Sequence, residues 1–388
     1  MTFNSRLRWG AVLTAGALAV PAAAAQAAPQ QPNLQQAVTA KVSAAKTSKA
    51  KSDIQVNVTR GGGTDTVFGT TVALVPQGQD THPEGWLFAA RLVDGKWQVG
   101  LEGERAFTEL TAASPVVSAK EKQLFGQQSF APQAAGGDFR TGMRLPFAIG
   151  ASWSMPGGAH GWAGTDTPYS SVDLAGGNGQ VLAARGGTAY TMCGNGKGWI
   201  RVIHDRGYAT DYYHLSGNIA ANGLGVGEGA FLGNIGTDVS CGGSASGAHV
   251  HFALRQNSAY VGIANHNVGG WVFQNAASAY NGTALHGSTV RSPGQQLYNY
   301  GALGFTQGII DAFGGGTVNK RTGPGTNYGI AGSVADGTTV NISCSKNGTS
   351  HSGRWGTTSL WNRLSDGTWV SDAFMWTGLS TPVNGTCP

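Results

Sequence analysis

Short apolar runs, broken every few positions by Gly, Pro, Asn or Asp-Gly, dominate this chain and predict strands rather than helices. Three such runs stand in the N-terminal third, at 67–75, 85–92 and 96–101. Four more follow at 180–184, 198–204, 208–215 and 248–254, each bounded by Gly or Asn. The last third repeats the pattern at 316–320, 338–344, 360–364 and 368–371, with Asp336-Gly337 and Asp366-Gly367 as hairpin turns. Helical periodicity is nearly absent from the middle of the chain. An Ala/Gln/Lys/Ser stretch beginning near residue 29 reads as flexible or loosely helical. No repeat of fixed period is visible.

The first residues follow a different rule. Arg6 and Arg8 precede an apolar run at 11–20, and Ala25 and Ala27 then offer an Ala-X-Ala cleavage site. This reads as a secretory signal peptide over 1–28, which predicts a secreted, extracellular protein. No other segment approaches the roughly 18 apolar residues of a bilayer span, so no membrane association is expected after cleavage. Export gives meaning to the four cysteines, because an even number in an oxidising compartment favours disulfides. Cys193–Cys241 and Cys344–Cys387 are the expected pairs, since each then closes within one unit.

The 388 residues include 62 Gly and are only 12% charged, which suits many short strands joined by tight turns. From Ala135 onward 13 Lys and Arg face 11 Asp and Glu, a net of about +2, so the formal +5 owes more to the N-terminal end than to a basic surface. With no run of basic residues interleaved with aromatics, nucleic acid is excluded as an expected partner. The expected organisation is a signal peptide at 1–28, a small β-rich unit at 29–134, a β-rich domain at 135–300 and a third unit of short strands at 305–388.

Candidate chemistry gathers in the 135–300 domain. His249-Val250-His251 approaches through a glycine-rich run at 242–247 and continues into Phe252-Ala253-Leu254. On a strand, the two histidines of His-X-His share a face. They can hold a metal together, or divide into one ligand and one base. His160 sits in Gly157-Gly158-Ala159-His160-Gly161-Trp162, read as a loop, and Asp173 follows at the expected start of a strand. An aspartate in an apolar strand is costly unless paired or bound to a metal. His214 closes the aromatic run Asp211-Tyr212-Tyr213-His214. Each residue alone has an ordinary reading, as a loop histidine, a turn cap or a half-buried histidine, and His204, His266 and His286 have no evident task. Their joint occurrence is what points to zinc, which takes nitrogen, sulfur and carboxylate ligands and keeps one position open in catalytic sites.

The combined pattern resembles a known family. His160 and Asp173 separated by twelve residues, then Tyr208 through Ser216, then Gly247-Ala248-His249-Val250-His251-Phe252 are similar to the lysostaphin-type zinc metallopeptidases. Leu145-Pro146-Phe147, Trp153 and Gly157-Gly158 resemble their β-lytic/staphylolysin branch, and the likeness covers about 138–290. It implies zinc held by His160, Asp173 and His251, with His214 and His249 as two non-ligand histidines beside the metal. Tyr280 in Ala279-Tyr280-Asn281-Gly282 matches a tyrosine that stabilises the oxyanion. No His-Glu-X-X-His occurs, so a histidine is the expected base. His249 is expected to activate water, while His214 holds the tetrahedral intermediate or protonates the leaving amine.

The tail carries a second resemblance. Val318-Asn319-Lys320-Arg321-Thr322-Gly323-Pro324-Gly325, with Asp366-Gly367-Thr368-Trp369-Val370-Ser371-Asp372, is similar to bacterial SH3-like β-barrels over about 314–378. Such barrels often attach wall-lytic enzymes to peptidoglycan. Trp355, Trp361, Trp369 and Trp376 could line a binding groove or simply fill a small core. The expected fold is therefore mainly β: an antiparallel zinc-peptidase domain, preceded by a β-rich propeptide and followed by an SH3-like barrel. The 29–134 unit reads as a propeptide that assists folding and blocks the site, or as an ordinary accessory domain, with its boundary near 133–137. The expected activity is hydrolysis of glycine-containing bonds in bacterial peptidoglycan peptides by a monomeric enzyme with one zinc. A protease of glycine-rich proteins and a non-catalytic wall-binding protein are the alternatives.

Overall fold

The structure is a computed structural model that describes residues 32–47, 52–61, 65–79, 81–127 and 137–388. The expected signal peptide at 1–28 lies outside the described residues. The described chain is mainly β, in sheets that are almost wholly antiparallel.

In the N-terminal unit, helix Pro32–Ala45 packs on a four-stranded sheet ordered Ile54–Gly61, Thr66–Ala73, Glu84–Val93 and Lys96–Leu101. Leu34, Val38 and Val42 recur every fourth residue, so they share one helix face and bury it against Val67, Phe88 and Leu101. Two helices, Arg105–Ala113 and Ala119–Gly126, are additions to the β-rich unit expected from the sequence. The second was legible. Ser118 accepts from the Glu121 backbone while the Glu121 carboxylate accepts from Ser118, the reciprocal cap that a Ser-X-X-Glu spacing announces. Strand Ile54–Gly61 was also missed, although Ile54, Val56 and Val58 alternate with polar residues.

The central sheet runs Asn222–Val226, Gly187–Thr191, Gly198–Ile203, Tyr208–Leu215, Val250–Gln256, Ser171–Ala175, Ser152–His160 and Gln296–Tyr298, with Ala259–Tyr260 paired beside Val250–Gln256. One face carries Val172, Leu174, Ile200, Val202, Tyr212, Phe252 and Leu254 into the main core. The other carries Trp199, Ile203, Ala209, Tyr213 and Ala253 against Phe68, Val72, Leu87, Phe107 and Phe125 of the N-terminal unit. Strands covered on both faces lose the polar positions of a half-solvated strand. Gly198–Ile203 and Tyr208–Leu215 are accordingly buried at every position, and their few charged residues, such as Arg201 and Asp211, are buried with them.

Two boundaries correct the sequence reading. His160 is the last residue of strand Ser152–His160 rather than part of a loop. Asp173 is the middle of strand Ser171–Ala175 rather than its start.

In the tail, a seven-stranded sheet joins Ile330–Ala335, Thr317–Arg321, Trp369–Ser371, Gly356–Leu364, Thr339–Gly353, Gln307–Ile310 and Met375–Trp376. Trp361, Trp369 and Trp376 are buried and Trp355 is half-buried; Trp376 packs with Val272, Leu285 and Leu303 of the preceding unit. Cys193 bonds Cys241 and Cys344 bonds Cys387, the pairing expected. No helix among the described residues is long and apolar enough to cross a membrane.

Candidate metal centre

Sheet register assembles the site. His251 stands opposite Asp173 on one neighbouring strand and opposite Tyr213 on the other. Directly opposed residues on antiparallel strands project to the same side. His160 comes from the next strand over, where two register shifts bring it level with Ser171. Gly157 and Gly158 allow that approach: a Cβ on Gly157 would stand 2.4 Å from Asp173 Oδ2, and one on Gly158 would stand 2.1 Å from Gly282 O.

Three donor atoms converge. His160 Nε2 is 3.1 Å from His251 Nδ1, His251 Nδ1 is 3.1 Å from Asp173 Oδ1, and His160 Nε2 is 3.5 Å from Asp173 Oδ1. The imidazole roles follow from second partners. His160 Nδ1 lies 2.6 Å from Gly158 O, so Nδ1 donates its proton there and Nε2 faces the cluster as a lone pair. Burial pushes His251 down to about 4, although Asp173 pulls it up, so the ring is neutral at neutral pH. Burial works against the charge on Asp173, yet His160 and then His251 hold its carboxyl well below the ordinary carboxylate range. This sets a carboxylate beside the neutral His251 ring and the inward-facing Nε2 of His160. That donor set, whose ligand atoms all lie within 4.8 Å of one another, fits a divalent cation of zinc's preference.

Two further histidines border the cluster. His249 Nε2 is 3.5 Å from Asp173 Oδ1, and its Nδ1 donates to Gly247 O at 2.7 Å. His214 Nδ1 donates to Asp238 O at 3.0 Å, and burial, followed by the neighbouring His249 and His251, pushes its pKa down to about 3. The two rings lie 4.8 Å apart by centroid. Tyr280 lines the same cleft of about 280 Å³ and stacks on His160 at 4.0 Å. His214 and Tyr280 both hold positive φ, 65° and 68°. Backbone strain of that kind in bulky residues recurs at functional sites.

The structure thus brings together all six residues singled out from the sequence, and leaves others apart. His204 bonds Gly186 O and Thr210, and His286 bonds Gly270 O, both in structural roles away from the cleft. Sequence reasoning missed one residue. The N-terminal unit carries none of the residues singled out from the sequence, but it inserts His82 into the cleft, with Nε2 3.0 Å from His214 Nε2 and the ring stacked 4.5 Å from that of His251. The signal available was thin: His82 is the one histidine ahead of His160.

Residues 167–263 match peptidase family M23. The chain is 35% identical over 150 residues to protease LasA of Pseudomonas aeruginosa, which covers 36% of this chain and 35% of that protein. The match therefore spans about a third of the length of LasA. Identity to beta-lytic metalloendopeptidase of Lysobacter enzymogenes is 30% over 151 residues, 36% of this chain and 83% of the relative. Among solved structures, the M23 metalloprotease pseudoalterin from the deep sea is 32% identical, with 40% of this chain and 97% of that chain covered at a TM-score of 0.38.

Proposed function

Since this chain belongs to peptidase family M23, we propose that it is a secreted zinc endopeptidase that hydrolyses glycine-containing peptide bonds in bacterial peptidoglycan. The observation that carries this reading is the convergence of His160, Asp173 and His251, with His249 and His214 aimed at the same cleft. His160, Asp173 and His251 would hold the zinc. When bound, the metal supplies Lewis acidity, which lowers the pKa of a held water toward neutrality.

The chain's own groups then move the protons. His249 spends Nδ1–H on Gly247 O, which leaves Nε2 as a lone pair beside Asp173, placed to take a proton from water. His214 holds Nδ1–H on Asp238 O and faces the cleft through Nε2, which, once it has taken up a proton, would hydrogen-bond the developing oxyanion side or return that proton to the leaving amine. Tyr280, locked over His160, would add a donor to that oxyanion. In this reading the 29–134 unit is a propeptide, residues 135–300 are the peptidase domain, and 305–388 form an SH3-like module that holds the enzyme to the wall. The mature enzyme acts as a monomer outside the cell, and the paired cysteines support that location.

The test is direct. Processed enzyme is incubated with defined peptidoglycan fragments and with glycine-rich peptides, with and without chelator, and the new termini are read by mass. Chelator-sensitive cuts in the wall peptides beside glycine support the proposal. Cuts confined to the free peptides favour a general protease of glycine-rich chains, and no cuts at all would leave a wall-binding protein.

A further inference from the structure

The N-terminal unit reaches the cleft through one side chain, and that side chain is an imidazole. His82 follows the loop that leaves strand Thr66–Ala73 and precedes strand Glu84–Val93. The loop is anchored to the segment beside the cleft. Gln77 pairs with Gly243, Gly78 N donates to Gly243 O at 2.8 Å, and Gln77 Nε2 donates to Val239 O at 3.0 Å. On the other side Trp162 Nε1 donates to Pro83 O at 2.7 Å. Between these anchors His82 is 5% exposed, and its Nδ1 is buried with no hydrogen-bond partner among the described residues.

We propose that His82 is a removable plug: its imidazole takes the place of water and substrate, and so keeps the uncut chain latent. His214 has a single nitrogen facing the cleft, because its Nδ1 is spent on Asp238 O. That nitrogen is engaged by His82 Nε2 and is unavailable to a substrate. The same ring covers the face of His251, one of the three cluster residues. Because His214 keeps its proton on Nδ1, its Nε2 accepts, and His82 Nε2–H is the donor between the two rings. The N-terminal unit thus fills the cleft with an imidazole that occupies His214 and covers His251. His160, Asp173 and His251 all stand on strands of the central sheet, outside the unit that carries His82.

The proposal rests on the metallopeptidase reading, and its test separates the two. The full chain, kept uncut, is prepared as wild type, His82→Ala and His82→Gln, each loaded with cobalt(II), alongside processed wild type. Visible absorption of the cobalt and hydrolysis of a short glycine peptide are both read. The expected result is an altered cobalt spectrum in uncut His82→Ala and a rate at least about tenfold above uncut wild type, the plugged fraction having been released. Millimolar imidazole should fill the vacated space, returning the spectrum and suppressing the rate in His82→Ala while leaving uncut wild type unchanged. His82→Gln keeps the bulk and a hydrogen bond, so it serves if the alanine variant melts early; it too should change the cobalt spectrum. An unchanged spectrum and idle rate in both variants, beside a processed wild type that binds cobalt and cuts peptide, would overturn the plug alone. A processed wild type that neither binds cobalt nor cuts would overturn the metallopeptidase reading and the plug with it.

Discussion

Asp173 stands at the centre of the cleft's electrostatics. It lies within 3.5 Å of ring nitrogens from His160, His249 and His251, so one carboxylate orients three imidazoles. Roles within this group separate by which atom is left over. His160 and His251 turn nitrogens toward each other at 3.1 Å as well as toward Asp173, whereas His249 meets Asp173 at 3.5 Å and His214 holds Asp238 O and turns its other nitrogen to the cleft. Asp173→Ala or His251→Ala should therefore lose bound zinc, measured by metal content after dialysis. His249→Ala should keep zinc in the processed enzyme while hydrolysis falls about 10²–10⁴-fold, the usual worth of a positioned acid or base. Zinc lost from His249→Ala would move that residue into the ligand set.

At the scale of elements, strand Tyr208–Leu215 shows how much function a register can set. Tyr212 faces the main core and Tyr213 faces the N-terminal unit, as alternation requires. Strict alternation would send His214 to the side of Tyr212. Its φ of 65° ends the extended run instead and leaves its ring 4.4 Å from that of Tyr213, inside the cleft. The adjoining strand Gly198–Ile203 contributes a fully buried Arg201, which donates to Asp211 at 2.8 and 2.9 Å and to Glu102 of the N-terminal unit at 2.7 Å. Burial opposes the charge on Asp211, but Arg201 and Arg255 hold its carboxyl below the ordinary range. Arg201→Leu would strand two buried carboxylates, so the uncut chain should lose about 3–5 kcal/mol in denaturant unfolding. Periodicity made this region readable as strands, and the histidine and aspartate spacing made the site readable as a metal cluster. The buried charges were not legible, because Glu102 and Arg201 lie 99 positions apart and each reads alone as a surface residue. In the sequence His160 reads as a loop residue because Gly157-Gly158 mimics a turn, whereas the glycines let two strands crowd around Asp173.

At the scale of the whole molecule, the tail sheet meets the preceding unit around Trp376, Val272, Leu285 and Leu303, and a cavity of about 410 Å³ lies along this junction. Asp372 lines that cavity, accepting from Asn362 at 2.8 Å and from Thr377 at 3.3 Å. Burial raises its carboxyl to about 6 from an ordinary 3.8, so the folded chain keeps a proton that the unfolded chain has released. That contribution is complete below the ordinary value and is lost as pH rises through about 6, a fall of roughly 3 kcal/mol. Asp372→Asn keeps an acceptor oxygen and should flatten this part of the stability profile between pH 4 and 7, read from denaturant midpoints.

The cluster that joins Phe68, Leu87, Phe107 and Phe125 to Trp162, Trp199 and Tyr213 has a consequence in time rather than in space. Under the proposed maturation, cutting the chain leaves this apolar contact and the Arg201–Glu102 pair intact. Scission and onset of activity would then be separate events, divided by the residence time of the severed N-terminal piece. A stopped cleavage reaction should show a lag after the last bond is cut, with a rate independent of the maturing protease and a final amplitude that grows on dilution. The proposed peptidase activity would carry its own clock, set by the off-rate of a fragment and started only once the chain has been severed.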